Sequence, residues 1–127
     1  MPDDLGAARD AAERRGVGSY ERHIFLCIGP DCCSTETGEA AWSRLKRRTA
    51  LLNGSSDRGR IYRTKVGCLR ICENGPVAVV YPEGTWYAGL DAEGLERVIS
   101  EHLGEGRKVE ELVIGRNPLS APQPPAD

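Results

Sequence analysis

Residues 67–87 read GCLRICENGPVAVVYPEGTWY, and this stretch decides the fold. The run at 77–81 (VAVVY) is continuous and β-branched, which predicts a central strand buried on both faces. Residues 82–84 (PEG) form a tight hairpin loop, because glycine accepts a positive φ, and residues 85–87 (TWY) return as the partner strand. The stretch therefore predicts a β-hairpin that follows a loop with two cysteines.

The residues before this hairpin predict a strand, a helix and a second strand. The apolar run 23–27 (HIFLC) ends at the turn signal GPD, and residues 60–66 (RIYRTKV) give another strand. A helical pattern covers residues 36–52. Its apolar side chains recur at positions i, i+3, i+7 and i+10, namely Trp42, Leu45, Thr49 and Leu52.

After the hairpin, Asp91 can cap a helix that runs to about Leu103 and ends at Gly104. The element order is then β-α-β, a β-hairpin and a closing helix. This order predicts an α/β domain with a mixed sheet of about four strands flanked by helices. The thioredoxin-like fold has this order, and other small α/β folds share it.

The chain has 127 residues, the size of one domain, and three segments are expected. Residues 1–19 are charged and rich in alanine, which predicts a flexible extension or a short exposed helix. Residues 116–127 form a proline-rich tail. The folded domain is placed at 20–115.

Charge and hydropathy exclude several classes of partner. The net charge of −2 does not favour binding to nucleic acid or to an anionic membrane surface. No apolar run is long enough to span a bilayer, and the first residues lack the apolar core of a secretory signal. A cytoplasmic location is therefore expected, where thiols stay reduced.

Five cysteines in such a compartment indicate metal ligands or redox groups before disulfides. Cys27 and Cys32 have four residues between them, and Cys68 and Cys72 have three. Cys33 is an alternative to its neighbour Cys32. Both pairs follow predicted strands, so their loops are expected to meet at one end of the sheet.

Four thiolates from two loops suit either of two metal centres. A 2Fe–2S cluster takes two thiolates on each iron, and a structural zinc ion takes four thiolates around one tetrahedral ion. Spacing alone leaves these two about equal. The chain contains no C-x-x-C motif, so a thioredoxin-type dithiol exchanger is less favoured.

Three motifs together give the chain a family resemblance. They are HIFLC at 23–27, GCLRICENGP at 67–76 and VAVVYPEGTWY at 77–87. These motifs resemble the thioredoxin-like 2Fe–2S ferredoxins over about residues 22–114. The same module occurs in the small iron–sulfur subunit of respiratory NADH dehydrogenase and in related hydrogenases and formate dehydrogenases.

The resemblance implies a thioredoxin-like fold with one 2Fe–2S cluster on Cys27, Cys68, Cys72 and one of the two vicinal cysteines. Cys32 keeps the four-residue gap to Cys27, whereas Cys33 lies at a more typical distance from the following glycine. The resemblance further implies a one-electron carrier that is not an enzyme. A homodimer is expected, as is a redox partner protein, either a reductase or an acceptor enzyme. Stand-alone relatives beside tetrapyrrole and cobalamin-type metal-insertion enzymes suggest a tetrapyrrole-related partner.

Three other functions stay open at this point. A zinc-stabilised adaptor domain would use the same four sulfurs, and a thiol redox protein would use Cys32, Cys33 or Cys72. The third is an electron-transfer subunit of a larger NADH or formate oxidoreductase.

Several residues near the cysteines have structural and functional interpretations. Leu69 and Ile71 are expected to shield a cluster from water. Arg70 lies between two candidate ligands, so its charge would raise a reduction potential or contact a partner. Arg44, Arg47 and Arg48 fit a solvated helix face better than a docking site. Trp42 is expected in the core, and His23 and His102 at a strand edge and on a helix face.

Overall fold

The structure, a computed structural model, describes residues 4–54 and 59–119. Its helices are α1 (Gly6–Arg14), α2 (Thr35–Leu52) and α3 (Ala92–Arg97), which continues into a π-helical segment Val98–Leu103. The strands are β1 (Arg22–Cys27), β2 (Ile61–Val66), β3 (Ala78–Tyr81), β4 (Thr85–Tyr87) and β5 (Val113–Arg116). A short 3-10 turn, Glu110–Leu112, precedes β5.

The described strands form one mixed sheet in the order β2-β1-β3-β4-β5. β1 pairs with β2 in parallel and with β3 in antiparallel orientation, so the β1-α2-β2 unit is a crossover beside the hairpin β3-β4. Because β1 and β2 are parallel, their carboxyl ends lie at the same edge of the sheet. The loops that follow these two strands therefore meet at that edge.

Local signals explain where α2 begins and ends. The Ser34 hydroxyl accepts a hydrogen bond from the backbone N–H of Thr37 at 3.0 Å, which satisfies one of the free donors of the first turn. At the other end, the Asn53 side chain bonds both backbone groups of Ile61, at 3.0 and 3.1 Å. These bonds connect the end of α2 directly to the start of β2.

The main core lies between the sheet and the helices α2 and α3 with the π-helical segment. Its fully buried residues come from alternate positions of the strands and from the helix faces, including Ile24, Leu26, Leu45, Val80, Tyr87, Leu95 and Leu103. Trp42 packs at the edge of this core with its ring half-buried, and Arg63 and Lys65 lie over the ring. The prediction of Trp42 as a core residue is therefore only partly right.

A hydrogen-bonded network closes the end of the sheet at which β1 begins. Arg22 binds Glu83 in the β3-β4 turn, with its Nη2 2.7 Å from Oε2. Nε2 of the fully buried His102 lies 3.1 Å from Glu83 Oε1, and its Nδ1 lies 2.8 Å from the Tyr87 hydroxyl. That hydroxyl also accepts from the Val109 N–H at 3.1 Å. The pattern fits a neutral imidazole that donates through Nε2.

Burial lowers the pKa of His102, since the charged imidazolium would lose its hydration. Burial raises the pKa of Glu83, but the hydrogen bonds from Arg22 and His102 outweigh it and bring this pKa down to about 2. Both shifts favour the ionisation states that the network uses near neutral pH, a charged carboxylate and a neutral imidazole.

The observed β1, α2, β2 and hairpin agree with the predicted elements, and their ends differ by about one residue at most. β5 was not predicted. The helix predicted from Asp91 to Leu103 is present, but its second half is π-helical.

The predicted segment boundaries at 20–115 remain predictions. Within the predicted extension, residues 6–14 form α1, and none of its side chains is buried. Residues 1–3 and most of the predicted tail, 120–127, lie outside the described residues. In the part of the chain that is described, no helix is both long and apolar enough to cross a bilayer.

Candidate metal centre

All five cysteines lie at the edge of the sheet where β1 and β2 end. Cys27 is the last residue of β1, and Cys32 and Cys33 lie in the loop that leads into α2. Cys68 and Cys72 lie in the loop after β2. The Cys27 thiol is directed to the backbone oxygen of Gly67 at 3.7 Å, so the first cysteine of one loop contacts the start of the other. The two loops thus meet as the parallel β1-β2 pairing requires.

Cys27 and Cys32 form the inner part of this group. They are 2% and 8% exposed, and their Sγ atoms are 2.7 Å apart. Both thiols pack with Val77 in a small apolar cluster against which Leu69 and Trp86 also pack. These apolar neighbours exclude water from the inner thiols.

Cys68 and Cys72 form the outer part, and both are exposed. The backbone N–H of Arg70 donates to Cys68 Sγ at 3.2 Å. Three non-glycine residues of this loop have positive φ, with values of 71° at Arg70, 61° at Cys72 and 54° at Asn74. Such angles are uncommon outside glycine, and residues held in them often cluster at functional sites.

Asp31 brings the two loops together. The sequence predicted only a turn at this position and no role for Asp31 at the site. Its carboxylate and the sulfurs of Cys68 and Cys72 offer three ligand atoms that all lie within 4.8 Å of one another. The sequence holds one signal for this position, since Asp31 directly precedes a candidate ligand in a short loop.

The crowding of these thiols disfavours their thiolate forms. Burial raises the pKa of Cys32 to about 12, and the hydrogen bonds and charges of Cys27 and Cys33 add to this effect. A hydrogen bond with Cys68 raises the pKa of Cys72. Neighbouring thiolates repel one another unless a cationic centre binds them, and metal binding releases their protons. The donor set therefore fits a metal centre that takes several sulfurs at once.

Gly75 allows the two loops to approach closely. Its N–H donates to the backbone oxygen of Cys32 at 2.9 Å. A Cβ at this position would lie 2.6 Å from that oxygen, closer than real side chains come. Glycine is therefore required here by the contact between the loops.

The other residues singled out from the sequence lie as follows. Leu69 packs against the inner thiols, but Ile71 is 38% exposed and does not enclose them. Arg44 and Arg48 bind Glu96 at 3.4 and 2.8 Å, so this part of the predicted solvated face is an ion-paired contact between α2 and α3. His23 bonds Tyr20 and Thr64, and His102 lies at the opposite end of the sheet.

Comparison with known proteins adds an independent line of support. No protein-family model matches the chain. A 2Fe–2S ferredoxin of Aquifex aeolicus is 43% identical over 101 residues, which is 75% of this chain and 90% of that protein. A 2Fe–2S ferredoxin of Clostridium pasteurianum is 44% identical over 101 residues, 74% of this chain and 96% of that protein. The chain belongs to the 2Fe–2S ferredoxin family.

Solved structures place this ferredoxin in the thioredoxin-like branch. A thioredoxin-like 2Fe–2S ferredoxin from Aquifex aeolicus superimposes with a TM-score of 0.66 at 27% identity, covering 77% of this chain and 94% of the other. The wild-type protein of that description at 1.5 Å resolution gives a TM-score of 0.61. The predicted family and the predicted thioredoxin-like fold are both confirmed.

Proposed function

We propose that this ferredoxin binds one 2Fe–2S cluster through Cys27, Cys32, Cys68 and Cys72 and carries one electron at a time. One observation carries the proposal: two separate loops bring their cysteines to a single edge of the sheet, with one pair buried and the other exposed. Two thiolates on each of two irons match this division into two pairs.

Cys32 is preferred to Cys33 as the second ligand. The Cys32 sulfur lies 2.7 Å from the Cys27 sulfur, whereas the Cys33 sulfur lies 3.7 Å from the Cys32 sulfur. Cys32 is also buried with Val77, while Cys33 only packs at the edge of that cluster. Cys33 remains the alternative ligand.

When bound, a 2Fe–2S cluster accepts and releases one electron without making or breaking a bond to substrate. The chain's own residues then have three tasks. The cysteines hold the irons, the apolar neighbours Val77, Leu69 and Trp86 keep water from the inner side, and backbone N–H groups such as that of Arg70 donate to sulfur. The exposed loop with Cys68 and Cys72 is the side from which electrons are exchanged.

The partner is a redox protein, either a reductase or an acceptor enzyme, and the chain itself is not an enzyme. We place it in the cytoplasm as a free carrier. A tetrapyrrole-related acceptor remains the partner suggested by the sequence resemblance.

We further propose a homodimer. The sheet face opposite the main core carries half-buried aromatic rings that pack in stacked and edge-to-face pairs. These rings would support self-association: Tyr20, His23, Phe25, Tyr62 and Tyr81. Sedimentation of the iron-loaded protein tests this proposal, and a monomer at all concentrations would refute it.

The decisive experiment for the carrier function is metal and sulfide analysis of anaerobically isolated protein. We expect two irons and two sulfides for each chain, visible absorption, and a paramagnetic signal after one-electron reduction. A colourless protein with one zinc would instead support the adaptor function. A metal-free protein that reduces disulfides through its thiols would support the thiol redox function.

A further inference from the structure

Asp31 is the one acidic side chain that the described residues place among the cysteine sulfurs. It belongs to the loop between Cys27 and Cys32, yet its carboxylate lies beside Cys68 and Cys72 of the other loop, with the three ligand atoms within 4.8 Å of one another. Its charge therefore faces the exposed pair of proposed ligands, from which electrons are exchanged.

Among the described residues, no cationic side chain forms an ion pair with this carboxylate. The ion pairs found within residues 4–54 and 59–119 join other acidic residues, and none includes Asp31. Arg70, in the neighbouring loop, uses its backbone N–H to hold Cys68 and is itself exposed. Without an ion pair from these residues, the negative charge of Asp31 acts on the sulfurs.

We propose that Asp31 sets the reduction potential of the bound cluster, keeping it lower than the four cysteines alone would give. The inference rests on the proposed cluster. Reduction adds one negative charge to the centre, and a carboxylate beside its outer ligands repels that charge. Local charge and solvent exposure are among the factors that determine the potentials of iron–sulfur centres.

The expected effect is modest because the site is open to water. For two charges about 6 Å apart in a medium between protein and water, removing the carboxylate favours reduction by about three- to tenfold. A tenfold change in a one-electron equilibrium corresponds to about 59 mV. The shift should shrink as salt is added, because ions screen exposed charges.

The test compares reduction potentials of the iron-loaded protein and its Asp31→Asn variant, measured by equilibration with a redox dye. We expect Asp31→Asn to have the higher potential and Asp31→Glu to remain close to the parent. Glu36→Gln is the matched control, since it removes an equal charge from an exposed carboxylate in the first turn of α2. If Asp31→Asn loads poorly, Asp31→Ser removes the same charge and allows the same comparison.

Three outcomes decide the inference. A higher potential in Asp31→Asn but not in Glu36→Gln supports it. Equal shifts in both variants would assign the effect to net charge and overturn it, and so would an unchanged potential in a fully loaded Asp31→Asn. Iron analysis of the parent separates this result from the proposed function, because a parent protein without a cluster refutes that function first.

Discussion

The two ends of the central sheet use neighbouring strands but satisfy their polar groups in opposite ways. Where β1 begins, Glu83 bonds both Arg22 and the buried His102, and the Tyr87 hydroxyl bonds the second nitrogen of that imidazole. Where β1 ends, the thiols have mainly each other as partners, and two of them face solvent. Thiols are weak hydrogen-bonding groups, so the cysteine side chains bind one another only weakly.

This difference between the two ends separates the residues that stabilise the fold from those that are proposed to bind the cluster. At the polar end Glu83, His102 and Tyr87 find partners within the chain, and these bonds fix the hairpin against the closing helix. The thiol end gathers groups that repel one another as thiolates and that bind metal strongly once deprotonated. We expect changes at the first end to alter folding and changes at the second to alter cluster binding.

The largest expected effect is loss of the cluster on substitution of a proposed ligand. Cys68→Ser, like the same change at Cys27, Cys32 or Cys72, should reduce bound iron to a small fraction, because a serine hydroxyl replaces a thiolate that iron prefers. Iron analysis and visible absorption measure this. Cys33→Ser is the control and should keep full iron content; if it loses the iron while Cys32→Ser keeps it, Cys33 is the second ligand.

The next effect concerns the contact between the two cysteine loops. Gly75→Ala should release the cluster to a chelator much faster, because the new Cβ would lie 2.6 Å from the Cys32 oxygen and force the loops apart. Gly67→Ala is the matched control in the same loop, as a Cβ there has no heavy atom within 4 Å. Equal release rates for both variants would contradict the role given to Gly75.

At the polar end, Tyr87→Phe should lower the free energy of unfolding of the iron-loaded protein by about 1–3 kcal/mol, because it leaves the buried Val109 N–H and His102 Nδ1 without their partner. Denaturant titration measures this. Tyr81→Phe removes a hydroxyl from a half-buried ring and should cost much less. Iron content should be unchanged in both; a cluster lost from Tyr87→Phe would show that the two ends are not independent.

The smallest expected effect is the pH dependence of stability. Burial lowers the pKa of His102 below its usual 6.5, so the unfolded chain takes up the proton more readily and stability declines as pH falls below about 6.5. The lowered pKa of Glu83 changes stability in the same direction. This pKa is about 2, below the usual 4.5, so the stabilisation from Glu83 is present above pH 4.5 and is lost as the pH falls toward 2.

His102→Gln should flatten the decline just below pH 6.5. A smaller decline in stability should remain in this variant, because burial also lowers the pKa of His23. Unfolding followed by circular dichroism at several pH values checks this, with visible absorption recording the cluster separately. An unchanged slope in His102→Gln would refute the assignment to His102.

Residues near one another in sequence determined much of this protein. The run at 77–87 specified its hairpin, because a β-branched segment and a Pro-Glu-Gly turn act over a few residues. The strand-helix-strand order before it placed two cysteine loops at one edge, since a parallel crossover allows no other arrangement. Fold, family and the grouping of cysteines could therefore be predicted without the structure.

Contacts between distant residues decided the rest. β5 is a short, exposed edge strand containing Gly115, and only its pairing with β4 marks it as a strand. Arg22 meets Glu83 across 61 positions of sequence, and Asp31 reaches the sulfurs of a loop 37 residues away from it at Cys68. Such contacts leave no periodic trace, because they depend on how the whole sheet aligns its loops and not on the residues adjacent in the chain.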